Sequence, residues 1–261
     1  MAKKGYFSKI TAVFNWNPPP PIIIDFDSVL AAQQAFYKKY GLPLPDADRM
    51  LSIWRHHYEA IQQEVATLGY DHLLMIPDGL PSLPELWKLM AKGFKPTWQG
   101  NNFQAGGSFA GVKDARNCRS GNRLVLLHGA DELDQHPVLK ATLGLSPSAL
   151  TGKNLKQIEA IIKRSGHLPI DFQPPGVSTR IKDQGLTLSW YAIFQRQRFD
   201  AGGRSGHIDS EYGNWLPSSY SAGRLVFASP WDTDFRRIDV HAVDADAAYV
   251  RLGCRPSRSF S

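Results

Sequence analysis
The residues best suited to chemistry are His128, Asp131, Asp134 and His136, within the stretch HGADELDQH. Imidazole nitrogens and carboxylate oxygens together suit a divalent cation. Their spacing follows no ligand pattern with a physical basis, and Asp131 or Asp134 more simply caps a short helix running toward Ala141. Gly106-Gly107-Ser108 offers backbone N–H groups of the kind that cradle an anion, although a tight turn is the simpler reading. Asp244 and Asp246 form a carboxylate pair fit for acid–base work or calcium, yet two aspartates two apart in a loop are ordinarily just solvated. The chain has no GxxxxGK[ST], no GxSxG elbow, no HExxH, and no GxGxxG leading from a strand into a helix. Its two cysteines, Cys118 and Cys254, exclude a disulfide framework and a four-cysteine zinc site. The two can pair; two buried thiols is the simpler reading. We therefore expect no enzyme, no catalytic residues, no metal and no cofactor.

The elements that position any site must come from 261 residues, enough for one large domain or two small ones with a proper core. Apolar residues make up 43% and charged residues 21%, as in an ordinary globular protein. The 18 prolines and 22 glycines argue for many turns rather than a helical bundle. The net charge is +6, but its lysines and arginines are scattered and form no stripe interleaved with aromatics. Nucleic acid is therefore not expected as a partner. No apolar run reaches 18 residues, so no membrane span is expected. The N-terminus, MAKKGYFSKITAVFNWN, lacks a continuous apolar core and a small-residue cleavage site. A secretory signal is not expected, which leaves a cytoplasmic protein or one exported by a non-classical route.

Residues 1–21 read as an arm ending in Pro18-Pro19-Pro20-Pro21, a stiff polyproline spacer. A helix is expected from a cap at Asp27/Ser28 to Gly41. A second, capped by Asp46 and stopped by Gly69, carries Leu51, Trp54, Tyr58, Ile61, Val65 and Leu68 on one face. His56 and His57 fall off that stripe and read as solvated. Residues 70–76 suit a buried strand closed by the Pro77-Asp78-Gly79 turn, followed by a short helix over about 83–92. The Gly-, Asn- and Ser-rich stretch 97–122 reads as loop or irregular β-structure, Arg123–His128 as a strand, and Leu150–Arg164 as a helix. From 186 onward the pattern predicts β-structure. Leu186–Phe194 is dense in β-prone residues, Arg224–Ala228 is a short apolar strand, and Tyr249–Cys254 suits a last strand. Over 237–243, Ile238, Val240 and Ala242 alternate with Asp239, His241 and Val243.

From Tyr212 to Ser261 there is no Lys, Glu, Gln or Met, whereas residues 1–211 hold 14, 6, 12 and 4 of them. One explanation is genetic. Codons ending in C or T never specify these residues, so randomising the adenines of AAC or AAT codons produces this depletion. The result is rich in Asp, Tyr, Ser, His, Arg, Val and Ala, as in SPWDTDFRRIDVHAVDADAAYV over 229–250. The structural alternative is that edge β-loops avoid long flexible side chains.

The C-terminal run GNWLPSSYSAGRLVFASPWDTDFRRIDVHAVDADAAYVRLGCR resembles the end of C-type lectin-like domains. In that fold a late Trp-containing segment and a final strand of the Arg-Leu type flank irregular loops. The stretch is most similar to the variable target proteins of diversity-generating retroelements, with Val250-Arg251-Leu252-Gly253-Cys254-Arg255 carrying much of the match. GGSFAGVKDARNCRSGNRLVLL upstream resembles the wording of the same fold class. The clear likeness covers about 70 residues, by count on the sequence, and the run of Asn and Tyr usual in such regions is thin.

The helices read from the N-terminal residues, taken with the lectin-like C-terminus that the resemblance implies, give an expected mixed α+β protein, with a helical N-terminal portion packed on a C-terminal C-type lectin-like β domain. The arm would cover 1–21, the helical portion 22–95, and the lectin-like domain 96–261 with a variable region at about 220–250. The resemblance also implies a fixed apolar frame beneath an exposed, changeable ligand face. Leu225, Val226, Phe227, Trp231, Ile238, Val240, Leu252 and Cys254 suit the frame. Tyr220, Pro230, Asp232, Asp234, Phe235, Arg236, Asp239, His241, Val243, Ala245, Ala247 and Tyr249 suit the face. The partner would be a protein or a cell-surface ligand. Two rival readings make distinct demands. A hydrolase or transferase using the Gly-rich 97–136 region needs a deep pocket holding His128 and Asp131. A phage or cell-surface assembly protein needs a symmetric oligomer that buries 229–250.

Overall fold
The computed structural model describes residues 23–68, 70–90, 104–105, 107–108, 112–114, 121–129, 186–202, 213–221, 224–228, 240–243, 252–255 and 257–261. The arm over 1–21 and the helix expected at 150–164 lie outside the described residues.

Helix α1 (Phe26–Tyr40) starts two residues earlier than a cap at Asp27 would place it. Asp25, in extended backbone, accepts the Ser28 N–H at 3.3 Å and the Ser28 hydroxyl at 2.6 Å. Three residues is the reach of an N-cap, and Asp27 itself is already helical. The helix ends at Gly41, in the left-handed region at φ 64°, where Leu42 N–H returns to Tyr37 C=O at 2.9 Å.

Asp46 caps α2 (Ala47–His56) by accepting Arg49 N–H at 2.9 Å. The apolar stripe read from the sequence as one helix is in fact two. The backbone breaks at His57 (φ −108°, ψ 12°), and α3 (Tyr58–Leu68) follows. Met50, Ile53, Trp54, Ile61 and Val65 are buried, but Tyr58 leaves the stripe and is 50% exposed. His56 is exposed as expected, whereas His57 is half-buried with its ring 5.2 Å from that of Phe260.

Strand β1 (His72–Ile76) leads into the expected turn, with Gly79 at φ 75°. Asp78 Oδ1 accepts both Gly79 N–H and Gly121 N–H at 2.9 Å, which ties two turns together. Helix α4 (Leu83–Met90) buries Leu83, Leu86, Trp87 and Met90. The described residues of 97–122 include three short strands: β2 (Gln104–Ala105), β3 (Gly107–Ser108) and β4 (Lys113–Asp114). Every residue of β5 (Arg123–Leu127) is buried.

Residues 186–194 correct the sequence reading. They open α5 (Leu188–Gly202), a helix and not a strand. Every residue from 186 to 196 is buried. A helix buried on all sides needs no polar face, so it carries no 3.6-residue alternation to distinguish it from a buried strand. Its start is nonetheless marked. Thr187 Oγ1 accepts Trp190 N–H at 3.1 Å, and Thr187 C=O accepts Tyr191 N–H at 2.9 Å.

The remaining strands are β6 (Gly213–Ser221), β7 (Arg224–Ala228), β8 (Val240–Val243), β9 (Leu252–Cys254) and β10 (Ser257–Phe260). The strand expected to be last is β9, and β10 follows it after Arg255. β10 joins an antiparallel sheet in the order β1-β5-β10, pairing Phe260 with Leu124. That sheet takes one strand from before residue 95 and two from after it. The second sheet runs β4-β6-β7-β8, with β9 parallel to β6. β4 and β9 share one edge of β6, and β7 occupies the other. The described residues therefore form a mixed α+β fold. Its core joins α1, α4 and α5 to Leu74, Ile76, Val125 and Leu127 of the first sheet and to Leu216 and Val240 of the second.

The last turns of α5 meet α1 through charge. Asp200 accepts Arg196 Nη2 at 3.0 Å, Lys39 Nζ at 2.8 Å and Tyr40 OH at 2.7 Å. The Arg196 side chain is 3% exposed, whereas that of Lys39 is 57% exposed. Removing the carboxylate strands a buried guanidinium, while removing the lysine breaks a screened surface pair. Asp200→Ala is expected to cost about 3 kcal/mol and Lys39→Ala under about 0.5 kcal/mol, both read by urea denaturation.

Candidate binding face
The candidate face depends on β6, whose first residues hold chain on both edges. Asn214 pairs with Ala228 of β7 on one side and with Gly253 of β9 on the other. Ala228 and Gly253, which flank 229–251, thus meet on the two edges of β6 at one residue, and within that stretch β8 pairs with β7 in the same sheet. Asn214 is fully buried, and its Oδ1 accepts the Arg255 N–H at 2.9 Å. Arg255 continues inward, donating Nη1–H to His128 C=O at 2.5 Å and lying 5.5 Å over the Phe194 ring. Next to Asn214, Trp215 is 1% exposed and Leu216 is fully buried.

β6 then breaks register. Leu216 pairs with Val226, but the next partner of β7 is Tyr220, against Leu225. Pro217 has no N–H to give a ladder, and the bulge absorbs the extra residues. It brings Ser219, fully buried, to the start of α5, where its Oγ accepts Leu188 N–H at 2.7 Å. Asp114 of β4 accepts Ser219 Oγ–H at 2.6 Å and Ser189 Oγ–H at 2.5 Å. A carboxylate there also complements the positive helix terminus. This serine–carboxylate group is a helix anchor, and the sequence reading did not find it. The Thr187 cap and the polar run Gln195–Arg198 were the signals available.

Of the positions assigned to the face, Tyr220 falls on β6 opposite Lys113 and Leu225. His241 and Val243 fall on β8, opposite Phe227 and Leu225. These two are out of phase with Val240, which is 3% exposed in the core. Pro230, Asp232, Asp234, Phe235, Arg236, Asp239, Ala245, Ala247 and Tyr249 lie outside the described residues, as do Asp244 and Asp246.

Of the four chemistry-bearing residues in HGADELDQH, only His128 is described. It is 2% exposed, with its ring 4.8 Å from that of Tyr70. Asp131, Asp134 and His136 lie outside the described residues. Among those that are described, no three His, Cys, Asp or Glu side chains gather as a metal would require. No described helix is long and apolar enough to cross a membrane.

Beside His128 the chain makes a close junction. Gly129 N–H donates to Asp71 Oδ1 at 2.6 Å, and a Cβ on Gly129 would meet His72 Cβ at 3.0 Å. The His72 ring lies 4.8 Å from the Phe194 ring. Burial holds its imidazole pKa down to about 4; Arg198 and Arg255 push the same way, and Asp71 opposes them.

No protein-family model, curated protein or solved structure matches the chain. The described residues define its class as a mixed α+β protein whose second sheet holds Ala228 and Gly253, on either side of 229–251, against the same residue, Asn214.

Two outcomes follow from this geometry. Asn214→Ala leaves the buried Arg255 N–H without its acceptor and is expected to cost about 1–3 kcal/mol, read by denaturant unfolding. The unfolded chain protonates His72 near pH 6.5, the folded one only near pH 4. Between those values the unfolded state binds more protons, so stability is full above pH 6.5 and falls as pH drops toward 4. His72→Gln is expected to flatten that part of the melting-temperature profile relative to wild type, and identical slopes would refute the assignment.

Proposed function
We propose that the chain is a ligand-binding protein, not an enzyme, whose C-terminal part is a C-type lectin-like scaffold presenting a diversified face. On this reading it is the variable protein of a diversity-generating retroelement. Its partner is a protein or cell-surface ligand, met by Tyr, Phe, His and Arg side chains of the 220–249 set.

The observation that carries the reading is the double clamp at Asn214. Positions that change sequence must not hold the core together, and the chain around them must be held by residues that stay fixed. Here Ala228 and Gly253, on either side of 229–251, both pair with Asn214 next to the buried Trp215 and Leu216, while Val240 of β8, assigned to the fixed frame, lies in the core. The depletion of Lys, Glu, Gln and Met supplies the second support. It begins at Tyr212 and runs through the clamped segment.

The test is a display library of the full chain randomised at the twelve face positions named above. Most members are expected to remain protease-resistant, and panning on several unrelated proteins should enrich different sequences for each. Single alanine substitutions at Asp232, Phe235, His241 and Tyr249 should each change stability by no more than about 0.5 kcal/mol. Trp215→Ala should cost about 3–5 kcal/mol. A library that loses its fold, or losses of several kcal/mol at those four positions, would overturn the proposal. At the genetic level, a near-copy of the 3′ coding region differing only at adenines should stand beside a reverse transcriptase gene.

A further inference from the structure
Helices α1 and α2 share a depression of about 410 Å3 that the binding-face reading leaves unused. Phe26, Asp27, Leu51, Trp54, Arg55 and Tyr58 line it. Three rings form a row along it. Phe26 and Trp54 lie 5.2 Å apart and tilted by 38°, and Trp54 and Tyr58 lie 5.9 Å apart and edge-on at 71°. Phe26 and Trp54 make the buried floor, while Tyr58 stands half exposed at one end. Asp27 and Arg55 are exposed at the rim.

Such a groove has the chemistry that recognises a polyproline helix. Proline rings pack on aromatic faces, and the carbonyls of that helix have no internal donor. Arg55 offers N–H groups for them. The lengths agree as well. Four residues of polyproline helix span about 12 Å, close to the reach of the three-ring row. The chain itself contains such a tract, Pro18–Pro21, which ends five positions before Phe26. The four residues 22–25 link the two, and the five steps from Pro21 to Phe26 reach at most about 18 Å when extended. We propose that the groove holds the Pro18–Pro21 tract of the same molecule, a site separate from the diversified face. A tract already stiff loses little freedom on docking, and so short a tether gives an effective concentration on the order of millimolar.

The test uses the full chain and a labelled peptide of residues 14–23, FNWNPPPPII, followed by fluorescence anisotropy. In one variant Pro18, Pro19, Pro20 and Pro21 are all changed to Ser, which empties the groove. That variant is expected to bind the peptide, and wild type about tenfold or more weakly, because its own tract competes. Adding Tyr58→Ser to the emptied variant should abolish binding. Tyr58 is half exposed, so an unchanged melting temperature shows that the fold survives. Equal binding by wild type and emptied chains would overturn the proposal, as would no binding to either or binding indifferent to Tyr58. A wild-type dimer in sedimentation that dissociates on Tyr58→Ser would also overturn it, by assigning the groove to the tract of a second copy.

Discussion
Everything described in the molecule depends on burying the first three turns of α5. Its residues from Leu186 to Phe194 touch both sheets and two other helices through one continuous core. Burial on that scale is favourable for the side chains and unfavourable for the backbone. The first N–H groups of a helix have no partner of their own, and leaving them dry costs more than a hydrogen bond returns. The fold resolves this with side chains brought from elsewhere. Thr187 serves one N–H locally, Ser219 arrives from β6 to serve another, and Asp114 arrives from β4 to hold both serine hydroxyls.

The same requirement shapes the second sheet. Ser219 reaches α5 only because β6 bulges after Leu216. The straight part of β6 before the bulge is what grips β7 and β9 at Asn214. One strand therefore performs two tasks in sequence. Its first half pairs with the residues on either side of 229–251, and its second half satisfies the buried helix. The other end of α5 is served by polar pairs: Gln33 with Gln197, and Arg196 with Asp200 and Tyr40. Those pairs fasten α1 to α5, and the helical portion and the strands share one core.

The parts of this arrangement that were legible in the sequence share a property: each is decided within a few residues. The Asp46 cap, the Gly41 stop, the Pro77-Asp78-Gly79 turn and the strand at 123–127 all rest on neighbours three or four positions away. Val240 of β8 is buried, in the phase that the alternation read along that strand gives it. That Phe227 and Leu225 stand opposite His241 and Val243 depends on pairings across the sheet. The Asn214 clamp was not legible, since Ala228 and Gly253 are brought to it from different parts of the chain.

By itself, then, the sequence determined the Asp46 cap, the Gly41 stop and the Pro77-Asp78-Gly79 turn, each decided by residues a few positions apart. Tertiary structure alone decided that 188–202 is a helix. A segment enclosed on every side loses the polar–apolar contrast that distinguishes the two periods, and its conformation passes to whatever surrounds it. Tertiary structure likewise decided the break at His57, where packing of the ring beside Phe260 of β10 accompanies the turn between two helices. It also sent the last four strand residues to the first sheet, a pairing more than a hundred positions away along the chain that no local pattern encodes.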